Sequence, residues 1–519
     1  RTGPEEPMSA RDRQTESTSH ARTPHRLGRP HVGRRRLRVS DVTVVDRPLM
    51  RRAVTGTVVG NAMEWYDVGV YGYLAVVMGQ VFLPTASPSI QVIFSLGVFA
   101  STYIARPIGG IVLGGLGDRV GRQKVLAATL ILMAASTFTI GLLPSYAAIG
   151  AAAPVLLVVL KLIQGFSTGG EYAGATTFVS EYAPDERRGF FASILDTGSY
   201  IGFALGAAVV SAIQLGLGPE AVLGGAWRIP FLVAGPLGAV AVYFRTKIEE
   251  SPAFQAQLDA QEEAGTDRPA DAPSSTADLV RTHWRPILIA IMLVAAANTS
   301  SYALTSYMPT YLTDSLGYDA VHGTLLTIPV LLVTAACIPL AGRLSDRIGR
   351  RPVLWIGSAS AVVLSVPAFL LLAHGAIWST LAGLTLVAVP VIFYISNLAS
   401  ALPALFPTAA RYGAMGVSYN FAVALFGGTS PLIIETILQL TGNTLSPAFY
   451  IIAMSVVGGV GVCFMRESAR RPLPGSMPAV ATRAEAHQLV ATQDENPHLD
   501  LDELPLEHTA PAQDAMPAR

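Results

Sequence analysis

The sequence predicts an all-α integral membrane protein with twelve transmembrane helices arranged in two six-helix bundles. Three observations lead to this fold class. The 519 residues are 51% hydrophobic and only 14% charged, with a mean hydropathy of +0.45, whereas soluble proteins carry about a quarter charged residues. The charges crowd into short loops and two tails. The longest hydrophilic gap, at about 246–283, follows the sixth of twelve apolar runs.

The twelve apolar runs have the length that crosses a bilayer as a helix. A basic tail at 1–52 precedes them, and we expect it to be disordered. Residues 53–245 form the predicted N-terminal bundle, 246–284 the cytoplasmic linker and 285–466 the C-terminal bundle. The acidic tail at 467–519 has scattered prolines and no heptad pattern, so we expect it to be disordered too. The predicted helices are 53–83, 89–116, 125–144, 152–180, 190–214, 227–245, 285–312, 323–342, 353–373, 377–402, 412–437 and 447–465.

Lys and Arg residues cluster in the loops on one side of the predicted helices, and the opposite loops are nearly free of both. The positive-inside rule makes the basic side cytoplasmic, which places both termini in the cytoplasm. Cys337 and Cys463 lie in apolar runs, so the sequence predicts neither a disulfide framework nor a metal site. No nucleophile–base pattern stands out, and we therefore expect no catalytic residue, no enzyme activity and no cofactor besides a coupling proton.

The pattern G-x-x-x-D-R-x-G-R occurs twice, at equivalent points six helices apart. Its last glycine permits positive φ, its aspartate can face the N-terminus of a neighbouring helix, and its arginines can bind carboxylates. A basic loop that only sets topology is the alternative, but two copies in register favour a structural gate. The predicted gate residues are Gly114, Asp118, Arg119, Gly121, Arg122, Gly342, Asp346, Arg347, Gly349 and Arg350.

Charged residues inside the predicted helices are few, and nearly all lie in the N-terminal half. Glu64 and Asp67 share one face of the first helix at helical spacing. Counting residues places Glu64, Arg106 and Glu171 at one depth near mid-membrane, where an isolated charge is costly and usually functional. We predict that Glu64, Asp67 or Glu171 carries the coupled proton. Arg106 is then its charge partner or the anchor of a substrate carboxylate; the alternative is a fixed ion-pair network that only holds the helices together.

Two further charges lie in the predicted helices. Lys161 is the candidate for a second cationic contact, beside Arg106, to a dianionic substrate, although counting residues places it too far outward, and Glu435 is predicted to lie near an outer helix end. Two glycine-rich stretches, 165–174 in the fourth helix and 427–431 in the eleventh, are predicted to bend or to pack closely.

Several stretches carry a family resemblance. The twelve helices, the long central loop and the duplicated loop motif together resemble the major facilitator superfamily. Four stretches are similar to the metabolite:proton symporters within it, and 307–312 with 402–412 resemble the osmoregulatory proline/glycine betaine transporters of that family. The tail differs from that group's pattern, because it lacks a coiled coil. The four stretches are 60–67, 106–110, 164–172 and 227–231.

The resemblance implies a proton-coupled symporter of the bacterial cytoplasmic membrane that imports an osmoprotectant, proline or glycine betaine, by alternating access. A carboxylate carrier (for α-ketoglutarate, citrate or shikimate) and a non-transporting membrane sensor are the alternatives. Its expected partners are the small-molecule substrate, protons and membrane lipid, without nucleic acid, and we expect it to act as a monomer. A quaternary ammonium binds aromatic faces by cation–π attraction. The predicted substrate contacts are Trp65, Tyr66, Tyr71, Tyr172, Tyr302, Tyr307, Tyr419 and Asn420.

Overall fold

Twelve helical spans cross the computed structural model of the chain, which describes residues 36–45, 47–120, 122–246 and 276–506. The twelve-helix fold predicted from the sequence is confirmed, and Leu37–Pro505 form one compact unit. The first six spans are Arg47–Tyr73 with Ala75–Phe82, Pro88–Val120, Arg122–Leu142, Ala152–Thr168 with Glu171–Tyr182, Arg188–Ala221 and Arg228–Thr246. The last six are Thr276–Ser315, Ala320–Leu325 with Thr327–Ile348, Arg350–Ala373, Ile377–Ala401, Thr408–Phe426 with Ser430–Thr441, and Ser446–Phe464.

Nine helices in the described part of the chain are long and apolar enough to cross a membrane. Ala128–Leu142 and Arg228–Val240 are shorter apolar helices in the third and sixth spans. The first span opens with a 27-residue helix that carries Glu64 and Asp67 among apolar residues. The length and apolarity that a bilayer imposes on each span explain why the sequence located all twelve.

The spans bend at the predicted glycine stretches. The fourth span is interrupted between Thr168 and Glu171, and the eleventh between Phe426 and Ser430. A Cβ atom on Gly428 would lie 1.8 Å from the Tyr103 ring, so only glycine fits against that aromatic side chain. Because Tyr103 belongs to the second span, the bend of the eleventh span is a close contact between the two halves.

The seventh helix begins earlier than predicted and includes the last residues of the predicted linker. The seventh span starts at Thr276 rather than at 285, because the polar turns before the apolar run continue the same helix up to a distorted residue, His283. Residues 247–275 of the predicted linker lie outside the described residues, as do 1–35 and 507–519 of the two predicted tails.

The described parts of both predicted disordered tails are folded, which corrects that expectation. Thr43–Val44 (β1) and Ala479–Val480 (β2) form a parallel two-stranded ladder, followed by a short helix, Arg483–Ala491. The Leu37 backbone N–H donates to the Gln493 side-chain oxygen at 2.8 Å. Few apolar residues suffice here, because the tails cover each other and the adjoining helix ends instead of forming a core of their own.

The two halves contact each other at both ends of the spans. We call the end that carries Arg187, Arg343 and Arg347 the basic end. There the fifth span packs against the eighth, and the second span packs against the eleventh along its length. At the opposite end, the Ser89 hydroxyl donates to the Gln439 side-chain oxygen at 3.1 Å. The region between these contacts, around Arg106, is therefore enclosed.

Candidate functional site

A buried ion pair joins the first and second spans near the middle of the molecule. Arg106 and Glu64 are 2% and 1% exposed, and the Arg106 Nη2 group donates to Glu64 Oε1. The Arg106 Nε group donates to Thr168 Oγ1 on the fourth span at 2.9 Å. The remaining nitrogen, Nη1, has no hydrogen-bond partner within the described part of the chain. A buried guanidinium therefore retains donor capacity that no described residue uses.

Glycines explain how the second and fourth spans approach closely enough to build this arrangement. A Cβ on Gly169 would lie 2.2 Å from the Arg106 carbonyl oxygen, and one on Gly165 would lie 1.7 Å from that of Thr102. Any larger residue would separate the two helices. Because the helices touch, Thr168 reaches the guanidinium of Arg106, and the predicted close packing of this stretch is confirmed.

Aromatic side chains from both halves surround the guanidinium. The Tyr103 ring centroid lies 5.0 Å from the guanidinium carbon of Arg106. Tyr302, from the seventh span, meets Tyr103 edge to face at 5.3 Å and lies 5.9 Å from Trp65. Tyr419, from the eleventh span, lies close enough to Arg106 to interact with its charge. We call Glu64, Arg106, Trp65, Tyr103, Tyr302 and Tyr419 the central cluster.

Other predicted residues lie beside the central cluster. Tyr172 stacks on Tyr419 with 4.2 Å between ring centroids, and its hydroxyl donates to Asp196 Oδ1 at 3.3 Å. The Asn420 amide donates to the Gly169 carbonyl. Glu171 begins the second helix of the fourth span and is 5% exposed. Its Oε1 lies 4.0 Å from the position of a Cβ on Gly60 in the first span.

The structure separates Asp67 from Glu64, although the sequence predicted one shared face. Asp67 lies beside Lys161 and Thr137, in a pocket between the first, third and sixth spans. Lys161 is 2% exposed, and its Nζ lies 4.2 Å from the Tyr71 ring centroid and donates to Gln164 at 2.8 Å. Lys161 is therefore buried inside the N-terminal half but lies outside the central cluster. Glu64 and Asp67 diverge because residues three apart on a helix differ by about 60° in direction.

Three predicted substrate contacts have other partners in the structure. The Tyr66 hydroxyl donates to the Pro230 carbonyl at 3.0 Å, which ties the first span to the sixth. The Tyr71 hydroxyl donates to the Ser95 carbonyl at 3.2 Å. The Tyr307 hydroxyl donates to Glu435 at 2.8 Å, toward the end opposite the basic end. All three hydroxyls are engaged in helix–helix contacts, and none belongs to the central cluster.

Two members of the site went unrecognised in the sequence. Tyr103 lies one helical turn before Arg106, so the i, i+3 spacing on the second span could have identified it. Thr168 lies inside a stretch singled out for its family resemblance, but nothing in the spacing indicates that it binds Arg106.

The second copy of the loop motif forms a contact between the halves at the basic end. The backbone N–H groups of Gly189 and Phe190 donate to the two Asp346 oxygens at 2.8 and 2.9 Å. These are the first-turn donors of the fifth span, so the prediction that Asp346 faces a helix N-terminus is confirmed. Arg350 Nη1 donates to Asp346 at 2.9 Å, and Gly349 has φ of 110°, as predicted.

The remaining predicted gate residues are Gly342 and Arg347 of the second copy and those of the first copy. A Cβ on Gly342 would lie 2.6 Å from the Gly189 carbonyl oxygen, so this glycine permits the close approach of the eighth span to the fifth. Arg347 lines a cavity of about 540 Å³ at the basic end. In the first copy, Gly121 lies outside the described residues. Gly114, Asp118 and Arg119 belong to the last turns of the helix Pro88–Val120, and Arg122 begins the next helix.

The folded C-terminal segment Glu467–Pro505 crosses the basic end and contacts both halves. Ala479 N–H donates to Asp185 at 3.0 Å in the N-terminal half. Arg411, in the C-terminal half, donates to the Pro474 carbonyl at 2.8 Å and pairs with Glu181 of the fourth span at 2.6 Å. Within the described ranges, no group of three or more His, Cys, Asp or Glu side chains could hold a metal ion.

Comparison with known proteins gives a consistent result. The model of the sugar (and other) transporter family matches residues 53–476. An ectoine/proline transporter of Corynebacterium glutamicum is 51% identical over 477 residues, which cover 91% of this chain and 94% of that protein. A proline/betaine transporter of Escherichia coli K12 is 43% identical over 465 residues, covering 89% and 93%.

Solved structures agree on the fold. The major facilitator superfamily proton:xylose symporter bound to 6-bromo-6-deoxy-D-glucose superposes with a TM-score of 0.65 at 18% identity, covering 82% of this chain and 98% of that one. A partially occluded, inward-open form of the Escherichia coli xylose transporter gives a TM-score of 0.62 at 19% identity, covering 81% and 98%. The relatives are named as transporters rather than enzymes. The chain therefore has the fold of a major facilitator superfamily symporter and belongs to the sugar (and other) transporter family.

Proposed function

We propose that the protein is a proton-coupled symporter that imports a small zwitterionic compatible solute, such as proline, glycine betaine or ectoine. The observation that carries this proposal is the buried Arg106 guanidinium, which has one nitrogen on Glu64 and another without a partner in the described structure. The names of the relatives supply the substrate class. Uptake measurements distinguish between these solutes.

The central cluster suits a zwitterion whose two charges are close together. The substrate carboxylate would accept a hydrogen bond from Arg106 Nη1, since a charge-assisted bond to guanidinium is strong in an enclosed site. The cationic end would rest against the aromatic faces of Trp65, Tyr103 and Tyr302, each of which supplies about 0.5–2 kcal/mol of cation–π attraction. Tyr419 closes the cluster from the eleventh span.

Proton coupling follows from competition for a single cation. Glu64 shares the Arg106 guanidinium with the incoming substrate carboxylate. When the substrate binds, Glu64 loses part of its stabilising charge in a buried setting, and protonation becomes favourable. Protonation of Glu64 conversely frees Arg106 for the substrate. The two binding events are linked reciprocally, so substrate binds more tightly as the pH falls.

Asp67 and Glu171 are secondary proton carriers in this proposal. Asp67 lies beside Lys161, a second buried cation, and is not in the central cluster. Glu171 lies at the bend of the fourth span, near the first span. Each is a buried carboxylate that could hold a proton, but neither is paired with the Arg106 guanidinium that would bind the substrate.

Alternating access requires contacts between the halves that open in turn. Contacts at the basic end, through Asp346 and through Glu181 with Arg411, would open toward the cytoplasm. The Ser89–Gln439 contact would open on the opposite side. In this orientation both termini are cytoplasmic, in a bacterial inner membrane, and the single chain holds a complete site, which supports function as a monomer.

A dicarboxylate carrier is less well supported. A dianion such as α-ketoglutarate would favour two cations in the site, and Lys161 was the candidate for the second. In the structure Lys161 donates to Gln164 and lies beside Asp67, away from the central cluster. The guanidinium of Arg106 alone suits a single carboxylate.

The test is uptake of labelled glycine betaine by proteoliposomes that contain the purified protein, with and without an inward proton gradient. We expect gradient-driven accumulation that excess proline blocks. Uptake of α-ketoglutarate but not of betaine would overturn the substrate proposal. Accumulation that does not depend on the proton gradient would overturn the coupling.

The Glu64→Gln variant tests the coupling residue in the same vesicles. The neutral amide mimics protonated Glu64, so we expect loss of gradient-driven accumulation while substrate–substrate exchange continues. Glu220→Gln, at an exposed position, is the matched control and should behave as the unsubstituted protein. Unchanged accumulation by Glu64→Gln would remove Glu64 from the coupling role.

A further inference from the structure

Glu435 is a buried carboxylate outside the central cluster, in the helix Ser430–Thr441 of the eleventh span. It is fully buried, at 0% exposure. The Tyr307 hydroxyl donates to its Oε2 at 2.8 Å, and the Gln439 amide donates to its Oε1 at 2.6 Å. The prediction that it lies near an outer helix end is consistent with its contacts, but the central cluster does not use it.

Glu435 belongs to a hydrogen-bond chain that crosses between the two halves. Ser89, near the start of the second span, donates to Gln439 at 3.1 Å, and Gln439 donates to Glu435. Glu435 in turn holds Tyr307 of the seventh span. The chain lies at the end opposite the basic end, so separation of the halves there must break the Ser89–Gln439 bond.

No cation offsets a negative charge on Glu435 in the described part of the molecule. The charged group that faces it is the carboxylate of Asp314, on the seventh span, and like charges repel. Tyr307 and Tyr311 are the titratable groups of that span that lie near Glu435 and Asp314, and the twelfth span has no charged residue. On the second span, Arg106 lies about 25 Å along the helix from Ser89, at about 1.5 Å per residue.

A buried carboxylate held only by neutral donors is far more stable as the neutral acid. Opening of this end would admit water to Glu435 and permit ionisation. We propose that Glu435 is a proton-binding gate residue, which takes up one proton when the end opposite the basic end closes and releases it when that end opens. This inference rests on the proposed transport function for its biological sense, but its geometry is independent of the substrate.

The proton balance is simple. The acid form of Glu435 donates its O–H to the Gln439 side-chain oxygen after the Gln439 amide group has rotated by about 180°. The amide nitrogen then donates to the Ser89 hydroxyl. The same three side chains stay bonded in the closed gate. In the proposed orientation the proton comes from the outside and returns there, so it adds nothing to the number of protons transported. Closure is therefore favoured by low external pH.

The experiment measures the gate directly. Spin labels at Ser87 and Leu440, both exposed at this end, report the distance between the halves in purified full-length protein without substrate. From about pH 8 to about pH 5, the range in which buried carboxyl groups titrate, we expect the population to shift from long to short distances. Glu435→Gln should stay at the short distance throughout, because the amide is neutral at every pH. Glu435→Asp should retain the shift.

The control is Asp319→Asn, an exposed carboxylate at the same end, which should leave the pH dependence unchanged. A distance distribution of the unsubstituted protein that does not respond to pH would overturn the proposal, whether or not the variants fold. A full pH shift in Glu435→Gln would also overturn it. Because no substrate is present, either result stands apart from the uptake assay, and a failure of the transport proposal would be recognised separately.

Discussion

Replacement of Arg106 by lysine separates charge from hydrogen-bonding geometry at the central cluster. The guanidinium binds Glu64 and Thr168 and still has Nη1 without a partner in the described structure. A lysine ammonium is a single nitrogen, which can keep the ion pair with Glu64 but cannot also reach Thr168 and a substrate carboxylate. The retained charge also avoids leaving Glu64 as an uncompensated buried anion, which would cost about 3–5 kcal/mol.

The expected loss is one charge-assisted hydrogen bond to the substrate carboxylate. Such a bond contributes about 1.5–3 kcal/mol, so Arg106→Lys should weaken glycine betaine binding by roughly 10- to 150-fold. Choline has the same quaternary ammonium group but no carboxylate, so its weaker binding should change little. Titration calorimetry with both ligands gives the ratio of affinities, which does not depend on the fraction of active protein.

Arg228→Lys is the matched control for this substitution. Arg228 is also partly buried, stacks on Trp227 at 4.5 Å and donates to the Leu143 carbonyl, but it lies outside the central cluster. Its betaine affinity should remain that of the unsubstituted protein. An equal loss of betaine and choline binding in Arg106→Lys, or no loss of betaine binding, would refute the assignment of Arg106 to the carboxylate.

Three further predictions concern packing and the basic end. Gly169→Ala places a methyl group 2.2 Å from a backbone oxygen of the second span, so we expect a loss of about 1–3 kcal/mol, measured as a lower thermal unfolding midpoint. Asp346→Asn removes the charge that caps the fifth span. It should favour opening of the basic end by about 1–2 kcal/mol, which raises the opening equilibrium constant roughly 5- to 30-fold. The measurement is the rate of thiol modification of Ser193→Cys in a background without other cysteines, which should increase. Deletion of 474–519 removes a contact of Arg411 and should raise the same rate.

Each of these has a simple control. Gly216 has open space where a Cβ would lie, so Gly216→Ala should leave the unfolding midpoint unchanged, and equal destabilisation would contradict the packing argument. A Ser193→Cys modification rate that neither Asp346→Asn nor the deletion changes would show that the contacts at the basic end do not hold the halves together.

The fold was predictable because a bilayer dictates both the length and the apolarity of each span. The depth of the ion pair was predictable for the same reason. Glu64 and Arg106 come out at one level by counting residues along two helices, and the structure pairs them. The role of Asp346 could be anticipated because a loop aspartate beside a helix start has few other favourable positions.

The direction in which each side chain points was not predictable. Rotation of a helix about its axis is set by its neighbours, so Tyr66 points to Pro230 and Asp67 points to Lys161 rather than to the centre. The partners of Glu435 come from different spans and leave no trace in its local sequence. The paired tails were missed because strands of two residues carry no detectable periodicity.

The ladder between Thr43–Val44 and Ala479–Val480 ties the beginning of the N-terminal half to a point beyond the end of the C-terminal half. The two halves are thereby joined twice, once by the covalent chain between the sixth and seventh spans and once by the ladder at the basic end. A chain cut within 247–275 would yield two polypeptides that still share a strand pairing. Co-expressed halves should therefore associate through the same ladder that joins them in the intact chain.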